Sequence, residues 1–239
     1  MRAERPENRR QGKRRGGGRT APVLGAAVVA GTATLLTAAP ARAHGNVNDP
    51  VARNYRCLKV WGNRHLDPAM KTEDPMCDQA FRTDPNAMWN WNGLLRDGLK
   101  GQYRTGVPDG TLCSAGHAEG GRYDPLDVPG PWIATDKPPR FRLNLVDQAS
   151  HGADFLEVYV SRDSHDPLTE RLGWDDLALV GRTGKVTGGG TVDPAVGGSA
   201  YAVDVDATGY PGRRVLFTVW KASHSDQTYF LCSDTVVTG

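Results

Sequence analysis

The sequence is short of cysteine, of large aromatics and, beyond its first 43 residues, of basic charge, and each shortage excludes a class of protein. Four cysteines in 239 residues, none in a C-x-x-C pair, leave no thiolate metal site. Seven Tyr, six Trp and five Phe against 29 Gly and 16 Pro describe a chain of many turns, not a long-helix bundle or a coiled coil. The formal net charge of +2 hides an asymmetry: residues 1–43 hold nine Lys/Arg against Glu4 and Glu7, so they carry +7 and the remainder −5. An acidic body offers nothing to nucleic acid or to an anionic membrane. A serine hydrolase is disfavoured because no G-x-S-x-G elbow is present. The carboxylates Asp74, Glu119, Asp124, Asp154, Glu157, Asp175 and Asp176 show no spacing that singles out a glycosidase pair. What remains, at 38% hydrophobic residues, is a chain long enough for one core-bearing domain or two small ones.

The first 43 residues read as an address. A basic stretch ending at Arg19 precedes an apolar stretch from Ala21 to Pro40, and Ala41-Arg42-Ala43 has the small-x-small pattern of a signal-peptidase site. A transmembrane anchor is the rival, but the run is built from Ala, Gly and Thr instead of Leu and Ile. Arg14-Arg15 leaves both export routes open. Cleavage after Ala43 predicts a secreted, extracellular chain in which the four cysteines form two disulfides, with three pairings open. It also makes His44 the mature N-terminus. An N-terminal histidine offers an α-amine with a pKa of about 7.7–8.0 and an imidazole of about 6.5, two neutral donors that close one chelate ring on a metal. A third nitrogen from a distant histidine would complete a T-shaped set that suits Cu(II) better than tetrahedral Zn(II). The bland alternative is that His44 merely follows the cleavage site.

From Arg53 to about Pro131 the chain is dense in Gly, Pro, Asp and Asn, and the pattern predicts at most one helical stretch, from Asn86 to about Leu99. After Pro139 period-two alternation predicts strands at Phe141–Leu145, Phe155–Val160, Tyr201–Val205, Val215–Val219 and Tyr229–Val237. Gly181–Gly198, with Gly188-Gly189-Gly190, reads as a hairpin or loop, since no strand-Gly-helix context makes it a phosphate cradle. Antiparallel strands of this number favour an all-β fold, an immunoglobulin or fibronectin type III-like β-sandwich with a long, partly helical insertion between its first strands. There is no repeat and no second domain. Six histidines (His44, His65, His117, His151, His165, His224) include no H-x-x-x-H pair, and spacing alone leaves the partner of His44 open. His151 is attractive because it lies in a turn between two strong strand patterns. In Trp89-Asn90-Trp91-Asn92 a helix would point the two indoles to different faces, so one is free to stack on a sugar or to close a satellite cluster.

Several segments together resemble the bacterial lytic polysaccharide monooxygenases, also described as chitin-binding proteins and grouped as auxiliary activity family ten. They are His44-Gly45, Val107-Pro108-Asp109-Gly110-Thr111-Leu112-Cys113-Ser114-Ala115-Gly116, Ala149-Ser150-His151-Gly152-Ala153-Asp154-Phe155, Leu172-Gly173-Trp174-Asp175-Asp176-Leu177 and Tyr229-Phe230-Leu231-Cys232-Ser233-Asp234. The resemblance spans essentially all of residues 44–239. It implies one copper ion held by the amine and Nδ1 of His44 and by the imidazole of His151. Tyr229 matches the axial position, where the family usually has Phe. Ala149 matches the small residue shaping access to the metal, and Gln227 a neighbouring position often held by Glu. An amide there cannot act as a base but can orient a bound oxygen species. The family pattern pairs Cys57 with Cys77 and Cys113 with Cys232.

By the same resemblance, residues from about 51 to 131 build a flat substrate face with Trp89 exposed and Trp91 in the core. Asn92 and Gln148 match positions that are aromatic in strictly C1-oxidising cellulose-active members, so polar residues there imply oxidation of cellulose at C1 and C4, and of chitin as well. The partners implied are a cellulose or chitin surface, an external electron donor and O2 or H2O2. The chain is expected to act as a monomer, and with no module after residue 239 it would hold the polymer by its own face. The alternatives are a chitin-directed C1 oxidiser, a non-catalytic carbohydrate-binding protein and a copper carrier.

Overall fold

A computed structural model of the chain describes residues 44–187 and 197–239. The segment read as a signal peptide and the run Gly188–Gly190 lie outside the described residues. Two sheets form a sandwich. The smaller orders β1 (Gly45–Asp49), β4 (Arg140–Asp147) and β7 (Ser199–Asp206) side by side. The larger runs β2 (Leu95–Arg96), β9 (Thr228–Val237), β8 (Gly212–Ala222), β5 (Ala153–Ser161) and β6 (Leu177–Thr183), with β3 (Thr135–Lys137) pairing parallel to the far end of β9. All five strands expected from the alternation are present. The expected sandwich and the insertion between its first strands are therefore observed, since β1 and β4 are paired neighbours with some ninety residues between them.

Burial explains why some strands were easy to read and others not. β7 alternates buried and exposed positions because one of its faces meets solvent. β8 and β9 are buried almost continuously, because the other sheet covers one face and the insertion covers the other. One apolar cluster runs from the sandwich interior (Leu143, Leu156, Trp220) into the insertion (Trp61, Phe81, Tyr123). Both disulfides implied by the family pattern form: Cys57–Cys77 within the insertion and Cys113–Cys232 between the insertion and β9.

The insertion corrects the expectation of at most one helix. Helix α1 (Arg53–Trp61), the single turn α2 (Met70–Glu73), α3 (Pro75–Thr83) and the single turn α4 (Asn86–Trp89) all lie within it. The stretch predicted to be helical from Asn86 to about Leu99 stops at Trp89, and Leu95 pairs instead with Tyr229 as part of β2. A start signal for α3 was in the sequence: Asp74 accepts from the Cys77 N–H as N-cap and Pro75 takes the first helical position. Arg53 fixes α1 to the sandwich. Its buried guanidinium makes a two-pronged pair with Asp234 at 2.7 and 3.0 Å, donates to Leu126 O at 2.6 Å and lies over the Trp132 ring.

His165 makes the fold sensitive to acid. Its Nδ1 is buried without a hydrogen-bond partner among the described residues, 3.5 Å from Asp176 and 3.8 Å from Glu170. Burial pushes its pKa down, more than these carboxylates raise it. Because the unfolded imidazole takes up its proton first, the stability tied to His165 is lost as pH falls below about 6.5. His165→Asn should therefore lose less of its urea midpoint than the parent chain between about pH 7 and about pH 5.5, measured without metal. An equal loss in both would remove His165 from the cause.

Candidate metal centre

Backbone pairing alone brings His44 and the His151 turn together. Gly45 pairs with Asp147 across β1 and β4, and the Gln148 N–H donates to His44 O at 2.7 Å. This approach requires glycine at 45, since a Cβ there would sit 2.3 Å from Val146 O and 2.8 Å from the Trp220 ring. The turn itself is built on the buried carboxylate of Asp147, which the sequence reading passed over. It accepts from the N–H of Ala149 (3.1 Å), His151 (2.5 Å) and Gly152 (3.2 Å), and from the Tyr201 hydroxyl (2.9 Å). Burial, reinforced by Asp147, pushes Tyr201 up to about 12, so it stays a donor. Asp147→Ala leaves the His151 N–H and the buried Tyr201 hydroxyl short of an acceptor at ~1–3 kcal/mol each, while the Gly152 N–H keeps the Tyr201 oxygen at 2.9 Å, and a loss on the order of 3 kcal/mol is expected in urea unfolding. A change within about 0.5 kcal/mol would show that the turn does not depend on this carboxylate.

The imidazole so presented is half-buried and kept neutral. Burial first, then the neighbouring His224 and His44, lower the His151 pKa, while Asp147 opposes them. Its Nδ1 is buried and has no hydrogen-bond partner among the described residues, with Asp147 Oδ1 3.9 Å away. Among the described residues no three His, Cys, Asp or Glu side chains come together to hold a metal ion. Two imidazoles therefore need a donor that is not a side chain, and the α-amine of a chain beginning at His44 is such a donor. The donor set fits a copper ion held by nitrogen.

Around this pair, Tyr229 is fully buried and stacked on Trp220 at 4.3 Å between ring centroids. Gln227 is buried, and its carbonyl accepts from the Ala222 N–H where β8 and β9 meet. Ala149 is exposed. Asn92 and Gln148 are joined directly, Asn92 Nδ2 donating to Gln148 Oε1 at 2.6 Å. Asn46 and Asn54 tether the segment that carries Trp89, both donating to Trp91 O, and the Gly45 N–H donates to Asn92 O. Trp89 is 41% exposed and meets Phe81 and His65 by its edge. Trp91, expected in the core, is half-buried against Tyr55, with ring centroids 4.2 Å apart.

Four residues at the site were missed. A cavity of about 80 Å³ beside His44 is lined by Asn90, Asn92, Glu119, Arg122 and Tyr123 among others. The clue to Glu119 and Arg122 was the run Ser114-Ala115-Gly116-His117-Ala118-Glu119-Gly120-Gly121, where Ala115, His117 and Glu119 adopt positive φ and curl the chain back. The third is Asp147. The fourth is His224, whose ring stacks on that of His151 at 3.6 Å. His224 gave no signal in sequence beyond lying between two predicted strands.

The profile of the family described as lytic polysaccharide mono-oxygenase, cellulose-degrading, matches residues 44–235. A lytic cellulose monooxygenase of Streptomyces ambofaciens is 34% identical over 220 residues, which cover 87% of this chain and 57% of that protein. The chain thus spans little more than half the length of this curated relative. A crystal structure of an LPMO from Kitasatospora papulosa is 51% identical with a TM-score of 0.77, covering 82% of this chain and 98% of that one. The cellulose-active LPMO CelS2, in complex with copper, is 27% identical with a TM-score of 0.67, covering 82% and 100%. The chain belongs to the lytic polysaccharide mono-oxygenase family.

Proposed function

We propose that residues 44–239, freed from a signal peptide at residues 1–43, form a secreted copper monooxygenase that cleaves crystalline cellulose, and also chitin, by oxidation at C1 and C4. The observation that carries the reading is that the β1–β4 register brings His44 beside the His151 turn, where no three His, Cys, Asp or Glu side chains come together among the described residues. The amine and Nδ1 of His44 and the imidazole of His151 would hold one copper ion. When bound, the ion would supply one-electron redox chemistry, driven by an external electron donor, and an open position for O2 or H2O2. Among the described residues no helix is long and apolar enough to cross a membrane.

The protein's own share is placement. Asp147 and the β1–β4 register set the two imidazoles, and the buried Tyr229 would form a wall behind the site. Gln227, an amide, donates or accepts a hydrogen bond but takes no proton, so its role is to orient the oxidant. Ala149 leaves the exposed side of the metal clear. Trp89 offers an exposed ring to a sugar face, and the Asn92–Gln148 pair gives the surface a polar edge in place of aromatic rings. That polar edge supports the mixed C1 and C4 reading.

Mass spectrometry of soluble products from cellulose and chitin tests it, using copper-loaded protein that begins at His44, with reductant, beside a form with one extra residue before His44. Oxidised oligosaccharides, some with C4-oxidised ends, are expected only from the form that begins at His44. C1-oxidised products alone would end the mixed-regioselectivity reading. No products from either form, despite tight copper binding by the first, would favour a carbohydrate-binding or copper-carrier protein.

A further inference from the structure

We propose that His224 is a positioning residue for His151, holding the second imidazole by stacking on its face where the usual orienting hydrogen bond is missing. The inference rests on the reading of His151 as a metal ligand. A ligating histidine ordinarily donates its other ring N–H to a carboxylate or carbonyl, which fixes the plane of the ring. Among the described residues Asp147 Oδ1, the carboxylate oxygen nearest His151 Nδ1, is 3.9 Å away, beyond hydrogen-bond range, and Nδ1 has no hydrogen-bond partner. Asp147 spends its oxygens on backbone N–H groups and Tyr201 instead.

The backbone of His151 is nonetheless pinned on both sides. Its N–H donates to Asp147 Oδ2, and its carbonyl accepts from Ser223 Oγ at 2.6 Å. Freedom is left in the ring, because rotation about the bond joining Cβ to an imidazole is broad. The His224 ring supplies the missing restraint, lying 3.6 Å from the His151 ring between centroids with 20° between their planes. Ser223 and His224 are consecutive in the connection from β8 to β9, which is closed by the bond from Ala222 N–H to Gln227 O. One short connection thus grips both the main chain and the ring of His151. Its ends are fixed by the pairing of Trp220 with Tyr229, so the grip is continuous with the wall behind the site. The restraint comes from the face of the ring, and a flat apolar ring should replace it.

The test uses chains beginning at His44, comparing the parent with His224→Ala, His224→Phe and His151→Ala by copper titration calorimetry and by electron paramagnetic resonance of the Cu(II) form. His224→Ala should weaken copper binding by about tenfold to a hundredfold, the usual cost of losing an outer partner, and broaden the copper hyperfine lines. His224→Phe should restore the sharp signal and an affinity within about threefold of the parent, because the stacked face is kept. Parent-like affinity and spectrum in His224→Ala, alongside loss of copper binding in His151→Ala, would overturn the positioning role and leave the ligand reading standing. A His224→Phe variant as impaired as His224→Ala would also overturn it, assigning the effect to the imidazole nitrogens. Unchanged affinity in His151→Ala would instead bring down the ligand reading itself.

Discussion

Replacing His151 by alanine should remove tight copper binding from the chain that begins at His44 and leave the sandwich folded. The size of the effect follows from the donor count. Losing a hydrogen-bonded partner behind a ligand costs ~10–100-fold in affinity, so losing one of three nitrogen ligands should exceed a hundredfold. Among the described residues no group of three His, Cys, Asp or Glu side chains could hold the ion in its place. The fold should tolerate the change because the side chain of His151 is not in the apolar core, and the contacts that shape its turn run through backbone N–H groups to Asp147. Calorimetric titration with Cu(II) beside a far-ultraviolet circular dichroism spectrum reads both halves of this expectation. A variant that binds copper as the parent does would sink the assignment of His151.

The second large effect is on stability. Removing the Cys113–Cys232 bridge as the double variant Cys113→Ala/Cys232→Ala should cost about 5 kcal/mol, because the bridge closes 119 residues of sequence and loop-closure entropy grows with that length. Removing Cys57–Cys77, which closes 20 residues, should cost about 3 kcal/mol. The order of the two matters more than either value. For a domain of this size 5 kcal/mol lowers the melting temperature by ~10–20 °C, easily seen by scanning calorimetry. The longer bridge ties the middle of the Leu112–Ser114 turn to β9 three residues from Tyr229, so its loss should also loosen the wall of the site. Equal melting temperatures for the two double variants would mean that the insertion is held to β9 by other contacts, with the Arg53–Asp234 pair the first suspect.

Much was legible before any coordinates. Period-two alternation announced β4, β5, β7, β8 and β9, because side chains on a strand must alternate between core and solvent or between two covered faces. The Ala41-Arg42-Ala43 pattern pointed to His44, and the turn before Ala153 pointed to His151. Family motifs paired the cysteines in the way the structure shows. Less visible were the short helices of the insertion. Each is nine residues or fewer, too short to show two full repeats of a helical stripe, and α1 owes its place to tertiary contacts such as Arg53 on Asp234.

What the amino-acid sequence determined by itself was local and periodic: the strands, the turns between them, the apparent cleavage site and the kinds of side chain able to bind a metal. Only the tertiary structure decided which of those side chains meet. His44 and His151 are 107 positions apart and come together because β1 pairs with β4 in one register, with Gly45 opposite Asp147. His224 joins them because β8 and β9 end their pairing beside the same turn, and no pattern of spacing records that a connection on one strand pair stacks on a turn between two others. The physical reason is that a register spanning a hundred residues is set by the summed burial of whole strands, whereas sequence patterns report only what each strand does with its own neighbours.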